Sequence, residues 1–174
     1  MKNIIEYITE SIKDVDQQII EMLKFFAKNS SGVQKAYYEQ MVQDANSVDV
    51  VPLSKVFTLE EIEEIKKIVR PKPKMCYENA WKLCDRLGYG NHDIKYCEGY
   101  LNMRGFPIEH AFNCVDGKYV DITIELALGR EIEDTYVTIG EYNDDEVREI
   151  LLQNGFYGEI YSTIFKNKYQ ENVK

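Results

Sequence analysis

Ile5, Ile8, Ile12, Val15, Ile19, Met22 and Phe26 recur three and four residues apart, the spacing that lines up one stripe of an α-helix. Ile4, Ile20, Leu23 and Phe25 widen the stripe, so it reads as a core-facing surface more than as a bare coiled-coil seam. The same spacing also suits pairing with a second copy, a homodimer through this helix. Asn29-Ser30-Ser31-Gly32 interrupts the pattern, and Val33, Tyr37, Met41 and Ala45 at spacing four mark a second helix folding back. Residues 1–46 thus read as a helical hairpin. Thr58 and Glu61 form a capping-box pair opening a helix with Ile62, Ile65 and Val69 inward. Pro71-Lys72-Pro73-Lys74 stops that helix and predicts an extended segment. A boundary there divides the chain into a helical N-terminal extension, 1–70, and a second part, 71–174.

In the second part, Ala80, Leu83, Cys84 and Leu87 share one face of a helix starting at Cys76, with Gly88 suited to the left-handed position that ends it. Ile94 to Leu101 and Glu109 to Thr123 are rich in strand formers, and Asp116-Gly117 is a hairpin turn inside the second run. A strand follows around Tyr136 to Ile139, then a helix opened by Asn143 with Glu146 and closed at Gly155. Phe156 to Phe165 reads as a last strand. Helices first, then helix, sheet and helix, predict an α+β fold on an antiparallel sheet.

Charge narrows the partners. Against 21 Lys and Arg stand 30 Asp and Glu in 174 residues, for a net charge of −9, spread along the chain. Phosphate binding needs a cationic surface, so nucleic acid is not expected as a partner. No apolar run approaches the roughly 20 residues of a membrane-spanning helix, and the N-terminus lacks the pattern of an export signal. The expectation is a cytoplasmic protein, off the membrane, with Cys76, Cys84, Cys97 and Cys114 reduced. There is no Cys-x-x-Cys knuckle and no Asp-x-Asp-x-Asp-Gly loop, so neither metal nor organic cofactor is implied.

Cys76 opens a helix directly after Pro-x-Pro and two lysines. Free backbone N–H groups and the positive end of the helix dipole stabilise a thiolate at such a position. The position equally suits a small buried residue. The hairpin adds a second element. With Asp116-Gly117 as a two-residue turn, Cys114 faces Tyr119, Phe112 faces Asp121 and His110 faces Thr123, so His110 and Asp121 are diagonal neighbours on one face. Asp121 in an otherwise apolar strand is explained if it accepts a bond from the His110 ring and sets its tautomer. The alternatives are an edge-strand Asp and a solvated His, and a one-residue bulge at the turn puts the pair on opposite faces.

Four pieces in order, Cys76-Tyr-Glu-Asn-Ala80, Ile94-Lys-Tyr-Cys-Glu-Gly-Tyr100, Glu109-His-Ala-Phe-Asn113 and Asp116-Gly117-Lys-Tyr-Val-Asp121-Ile-Thr123, resemble the transglutaminase-like core of the papain-like cysteine-protease superfamily. The resemblance spans Cys76 to Thr123. It implies a papain-like or transglutaminase-like core with Cys76 as nucleophile, His110 as general base and acid, and Asp121 orienting His110. The implied chemistry is acyl transfer on the amide of a protein or peptide substrate, as a thiol protease or deamidase more than as a crosslinking enzyme. The Cys76 N–H contributes to the oxyanion hole. Upstream, Arg70, Lys72 and Lys74 stand where the family often has a Gln or Trp donor, which leaves a second oxyanion donor unassigned. Cys84 and Cys97 read as core residues, Cys114 as too far along its strand, and His92 as solvated in a turn. Glu109, Asn79 and Asn113 suit either substrate binding or structural hydrogen bonds. The competing functional readings are a non-catalytic protein-binding module on the same fold, using the N-terminal amphipathic helices, and a zinc-stabilised structural domain using the cysteines and His110.

Overall fold

A computed structural model describes residues 4–87, 91–103 and 105–171, with side chains described for residues 17–87, 91–103 and 105–170. The Asn-Ser-Ser-Gly break separates α1 (Ile4–Asn29) from α2 (Gly32–Asp44), and Gly32 takes the left-handed φ of 57° that the reversal requires. Side chains of Ile4, Ile5, Ile8, Ile12 and Val15, and the Gly88 terminator, lie outside the described residues. After the three-residue strand β1 (Asn46–Val48), α3 (Leu59–Ile68) begins at the Thr58–Glu61 capping box, whose reciprocal bonds are both present. Then come α4 (Cys76–Leu87), β2 (Ile94–Met103), β3 (Phe106–Val115), β4 (Lys118–Val120) and a π-helical turn at Thr123–Ala127. The chain finishes with β5 (Thr135–Tyr142), α5 (Asp144–Asn154) and α6 (Ile160–Glu171). The architecture is α+β, helices followed by an antiparallel sheet.

The sheet has the order β1-β5-β2-β3-β4, every neighbouring pair antiparallel. It curls until its two ends meet: the chain just past β1 touches β4, with the Val51 N–H donating to the Tyr119 carbonyl at 2.8 Å. One face packs on the helices, burying Ile19 and Leu23 of α1, Ile65 of α3, Leu83 of α4 and Ile160 of α6 in one core with Val115 and Val137. The other face closes over Cys97, Leu101, Phe112, Ile124 and Tyr136. Residues 1–70 therefore supply an edge strand and several core side chains to the same packed unit as residues 71–174.

Three sequence expectations are corrected. Phe156 to Phe165 is not a strand, because α6 starts at Ile160, where the buried Glu98 carboxylate of β2 accepts the Ile160 and Tyr161 N–H groups at 3.1 and 2.9 Å. A cap supplied from 62 residues away leaves no local signal. Pro71 to Lys74 is not extended throughout: Pro73 and Lys74 form a turn, with Lys74 left-handed at φ 64°. The second hairpin strand ends at Val120, not Thr123, since Asp121 Oδ1 takes the Thr123 and Ile124 N–H groups at 2.8 and 3.1 Å and bends the chain out of the sheet.

Candidate active site

The hairpin register is the one that Asp116-Gly117 specifies: Val115 opposite Lys118, Cys114 opposite Tyr119, Asn113 opposite Val120. Asp116 and Gly117 have φ of 51° and 79°, both left-handed as a primed two-residue turn demands. His110 and Asp121 consequently share a face, and His110 Nε2 lies 2.6 Å from Asp121 Oδ2. Only 6% of His110 and none of Asp121 is exposed, so the pair sits outside the reach of solvent screening.

Because β4 pairs with β3 only along 113–115, the β3 edge at Ala111 carries no ladder on that side. The start of α4 fills it. The half-buried Cys76 thiol sits against His110, which couples to it electrostatically, and close to the backbone N–H groups of Ala111 and Tyr77. With Nε2 committed to Asp121, Nδ1 is the ring nitrogen left for the sulfur. Sulfur, imidazole and carboxylate thus form one chain, assembled from α4, β3 and the exit of β4.

The electrostatics follow. Burial raises the Cys76 thiol, but hydrogen bonding and charge from His110, with the two N–H donors, outweigh it and hold the thiol below its ordinary value. Burial likewise disfavours a charged His110, and the Asp121 carboxylate overrides it, pushing His110 up to about 10. Both directions favour a thiolate–imidazolium pair over two neutral groups. The other cysteines move the opposite way: burial pushes Cys84 up to about 12, and raises Cys97 and Cys114 as well. Cys84 donates to the Ile94 carbonyl at 3.2 Å in the core.

Asp121 is held on all sides. Beyond His110 and its two backbone donors, Oδ2 accepts the Tyr136 hydroxyl at 3.0 Å. Tyr136 is missed by sequence reasoning, for it arrives on β5 through pairing with β2, and nothing around it in sequence marks it. A second support is Asn79, one turn into α4. Its Oδ1 accepts the Lys72 N–H at 3.0 Å, and its Nδ2 reaches the Lys72 carbonyl at 2.8 Å and Thr123 Oγ1 at 3.0 Å. That brace fixes the Pro-x-Pro approach, including the strained Lys74, and ties the Cys76 helix to the segment after Asp121.

The remaining candidates have structural placements. Asn113 Nδ2 donates to the Ala80 carbonyl at 2.9 Å and joins β3 to α4. Glu109 is exposed beside His110. His92 is not solvated as expected: its Nδ1 meets Asp116 Oδ2 at 2.6 Å, its Nε2 meets Glu61 Oε1 at 3.1 Å, and its ring packs edge-on against Phe57. Tertiary packing of α3 on the hairpin turn brings those partners to it. The N–H groups of Cys76 and Glu78 precede the first intrahelical bond, which Asn79 donates to the Met75 carbonyl at 2.8 Å, so they are free for an oxyanion. Among the described residues no cluster of His, Cys, Asp or Glu is arranged to hold a metal ion, and no helix is long and apolar enough to cross a membrane. Compared with family models, with curated proteins and with solved structures, the chain gives no match.

Proposed function

We propose that the chain is a cytoplasmic thiol enzyme with a papain-like, transglutaminase-like core, performing acyl transfer on an amide of a protein or peptide. The reading rests on one observation, the Cys76 thiol placed against His110, whose Nε2 lies 2.6 Å from Asp121 Oδ2. In it the thiolate of Cys76 attacks the amide carbonyl carbon, a C–S bond forms and the carbonyl π pair moves onto oxygen, which takes the Cys76 N–H. The oxyanion collapses as the C–N bond breaks, and the imidazolium gives its proton to the departing amine or ammonia. Neutral His110 then takes a proton from water, whose oxygen attacks the thioester. C–S cleavage releases the acid and regenerates the ion pair. Asp121 keeps Nδ1 directed at the sulfur throughout and stabilises the imidazolium. Hydrolysis, as proteolysis or glutamine deamidation, is favoured over crosslinking.

The test is the pH dependence of iodoacetamide labelling, resolved cysteine by cysteine by peptide mass mapping, in the wild type and in His110→Ala. An ordinary thiol titrates near about 8.5, and an activated one at about 3.5–7.5. Fast labelling of Cys76 at pH 6 that vanishes without His110 is the expected result. Labelling of Cys76 no faster than that of Cys84 or Cys97 overturns the reading in favour of a non-catalytic binding module.

A further inference from the structure

A cavity of about 190 Å³ opens beside the candidate nucleophile. Three of its lining residues neighbour the site: Tyr77 follows Cys76, Glu109 precedes His110, and Gly99 is the cross-strand partner of His110. Ligand sites for drug-sized molecules run to about 300–1,000 Å³, so this volume suits a single side chain.

Its lining is aromatic and acidic. Tyr37, Tyr77, Tyr100 and Tyr161 supply rings, while Glu109 and Glu159 supply carboxylates that have no ion-pair partner among the described residues. No Lys or Arg is among the residues that line it. The third acid, Glu98, is already occupied, accepting the Tyr96 hydroxyl at 2.8 Å and two N–H groups of α6. Tyr100 adds an independent observation. The residue is only 5% exposed and lines the cavity, and its hydroxyl, which is not fully buried, has no hydrogen-bond partner among the described residues. Burial first, and then the Glu109 charge, raises the hydroxyls of Tyr37 and Tyr100, as expected in a space of negative potential.

We infer that this cavity is a recognition subsite for a cationic side chain, lysine or arginine, of the peptide whose amide reaches Cys76. The rings attract the cation through their faces, the two free carboxylates pair with it, and the Tyr100 hydroxyl accepts one of its N–H groups. The proposal rests on the thiol-enzyme reading for its use but not for its test. Glu109 and Glu159 are the discriminating groups, because Glu98 is needed to hold α6.

Two measurements separate the possibilities. First, Nα-acetyl-lysine methylamide and Nα-acetyl-norleucine methylamide are titrated into the full chain and followed by NMR of the tyrosine rings. The lysine compound binds about tenfold or more tighter at low salt, and Glu109→Gln/Glu159→Gln lowers that ratio below about threefold. Tyr100→Phe, which keeps the ring, weakens lysine binding less than Tyr100→Leu. Second, dipeptidyl acyloxymethyl ketones with lysine or norleucine at either position are used to alkylate Cys76, each rate divided by that of iodoacetamide on the same variant. A lysine preference at one position that the double variant removes is expected. Equal binding and equal alkylation of lysine and norleucine compounds, on a chain whose Cys76 does react with iodoacetamide, overturn the subsite and leave the nucleophile standing. Selective lysine binding on a chain whose Cys76 is inert keeps the subsite and removes the enzyme.

Discussion

Asp121→Asn separates a functioning proton path from a well-packed polar core. Asn has nearly the shape of Asp and retains Oδ1, so it keeps the Thr123 and Ile124 N–H bonds that end β4. It places an NH2 where Oδ2 receives His110 at 2.6 Å and Tyr136 at 3.0 Å. An NH2 only donates, so His110 Nε2 must become the acceptor and the ring proton moves to Nδ1, the nitrogen facing Cys76. The imidazole is then unable to take the thiol proton. The charge is lost as well. Asp121 is the largest influence raising His110, and breaking a buried ion pair costs about 3–5 kcal/mol. With the carboxylate gone, burial disfavours the His110 imidazolium and only the Cys76 sulfur still favours it. An opposite charge at contact moves a pKa by about 1–3 units, so the iodoacetamide profile of Cys76 shifts up by about that much, and labelling at pH 6 slows about 10- to 1,000-fold. Urea unfolding of the same samples reports whether the fold survives. Tyr136→Phe removes one hydrogen bond to the carboxylate, about 1.5–3 kcal/mol, and moves the profile less. A folded Asp121→Asn whose Cys76 profile coincides with that of the wild type refutes the coupling and reduces Asp121 to a strand terminator.

Other consequences follow from single side chains. Leu23→Ala empties a fully buried position where α1 meets the sheet and costs about 2–5 kcal/mol, read from one cooperative urea transition; a separate early transition instead makes α1 an independent element. Gly99→Ala places a Cβ 2.0 Å from the Val137 carbonyl oxygen at the β2–β5 irregularity, so it destabilises by about 3 kcal/mol or more, and an unaltered urea midpoint contradicts that close approach. His92 is raised by its bond to Asp116, against partial burial, while Glu61 and Asp116 are lowered, chiefly by the Thr58 N–H and by His92 respectively. The His92 contribution is therefore complete below pH 6.5 and is lost as pH rises through its raised value; that of the two acids is lost as pH falls through their lowered ones. His92→Phe removes the alkaline part of this dependence, measured as the difference in urea midpoint between pH 6 and pH 8.

Much of this was readable along the chain. The break at Asn29 to Gly32, the two capping boxes and the Asp116-Gly117 turn are local: each depends on bonds between residues two to four apart, and each occurs where its residues stand. The hairpin register is local in the same sense, and with period-two alternation it dictates that His110 and Asp121 share a face. The start of α4 puts Cys76 at a helix terminus for the same kind of reason. What the sequence determined by itself is therefore the α+β class, with helices ahead of an antiparallel sheet, and the three residues worth watching.

Tertiary structure decided everything that needs a partner from far along the chain. It made α6 a helix by capping it with Glu98, seated Tyr136 on Asp121 through β5, and brought Glu61 and Asp116 to His92. It also brought the Cys76 sulfur to the open edge of β3, a meeting that depends on β4 being three residues long. The cavity beside it joins side chains from α2, α4, β2, β3 and α6, none of which signals the others in sequence. The physical reason is the same in each case: backbone and turn preferences act over a few residues, whereas burial of a carboxylate, a hydroxyl or a thiolate is satisfied by whichever donor packing delivers.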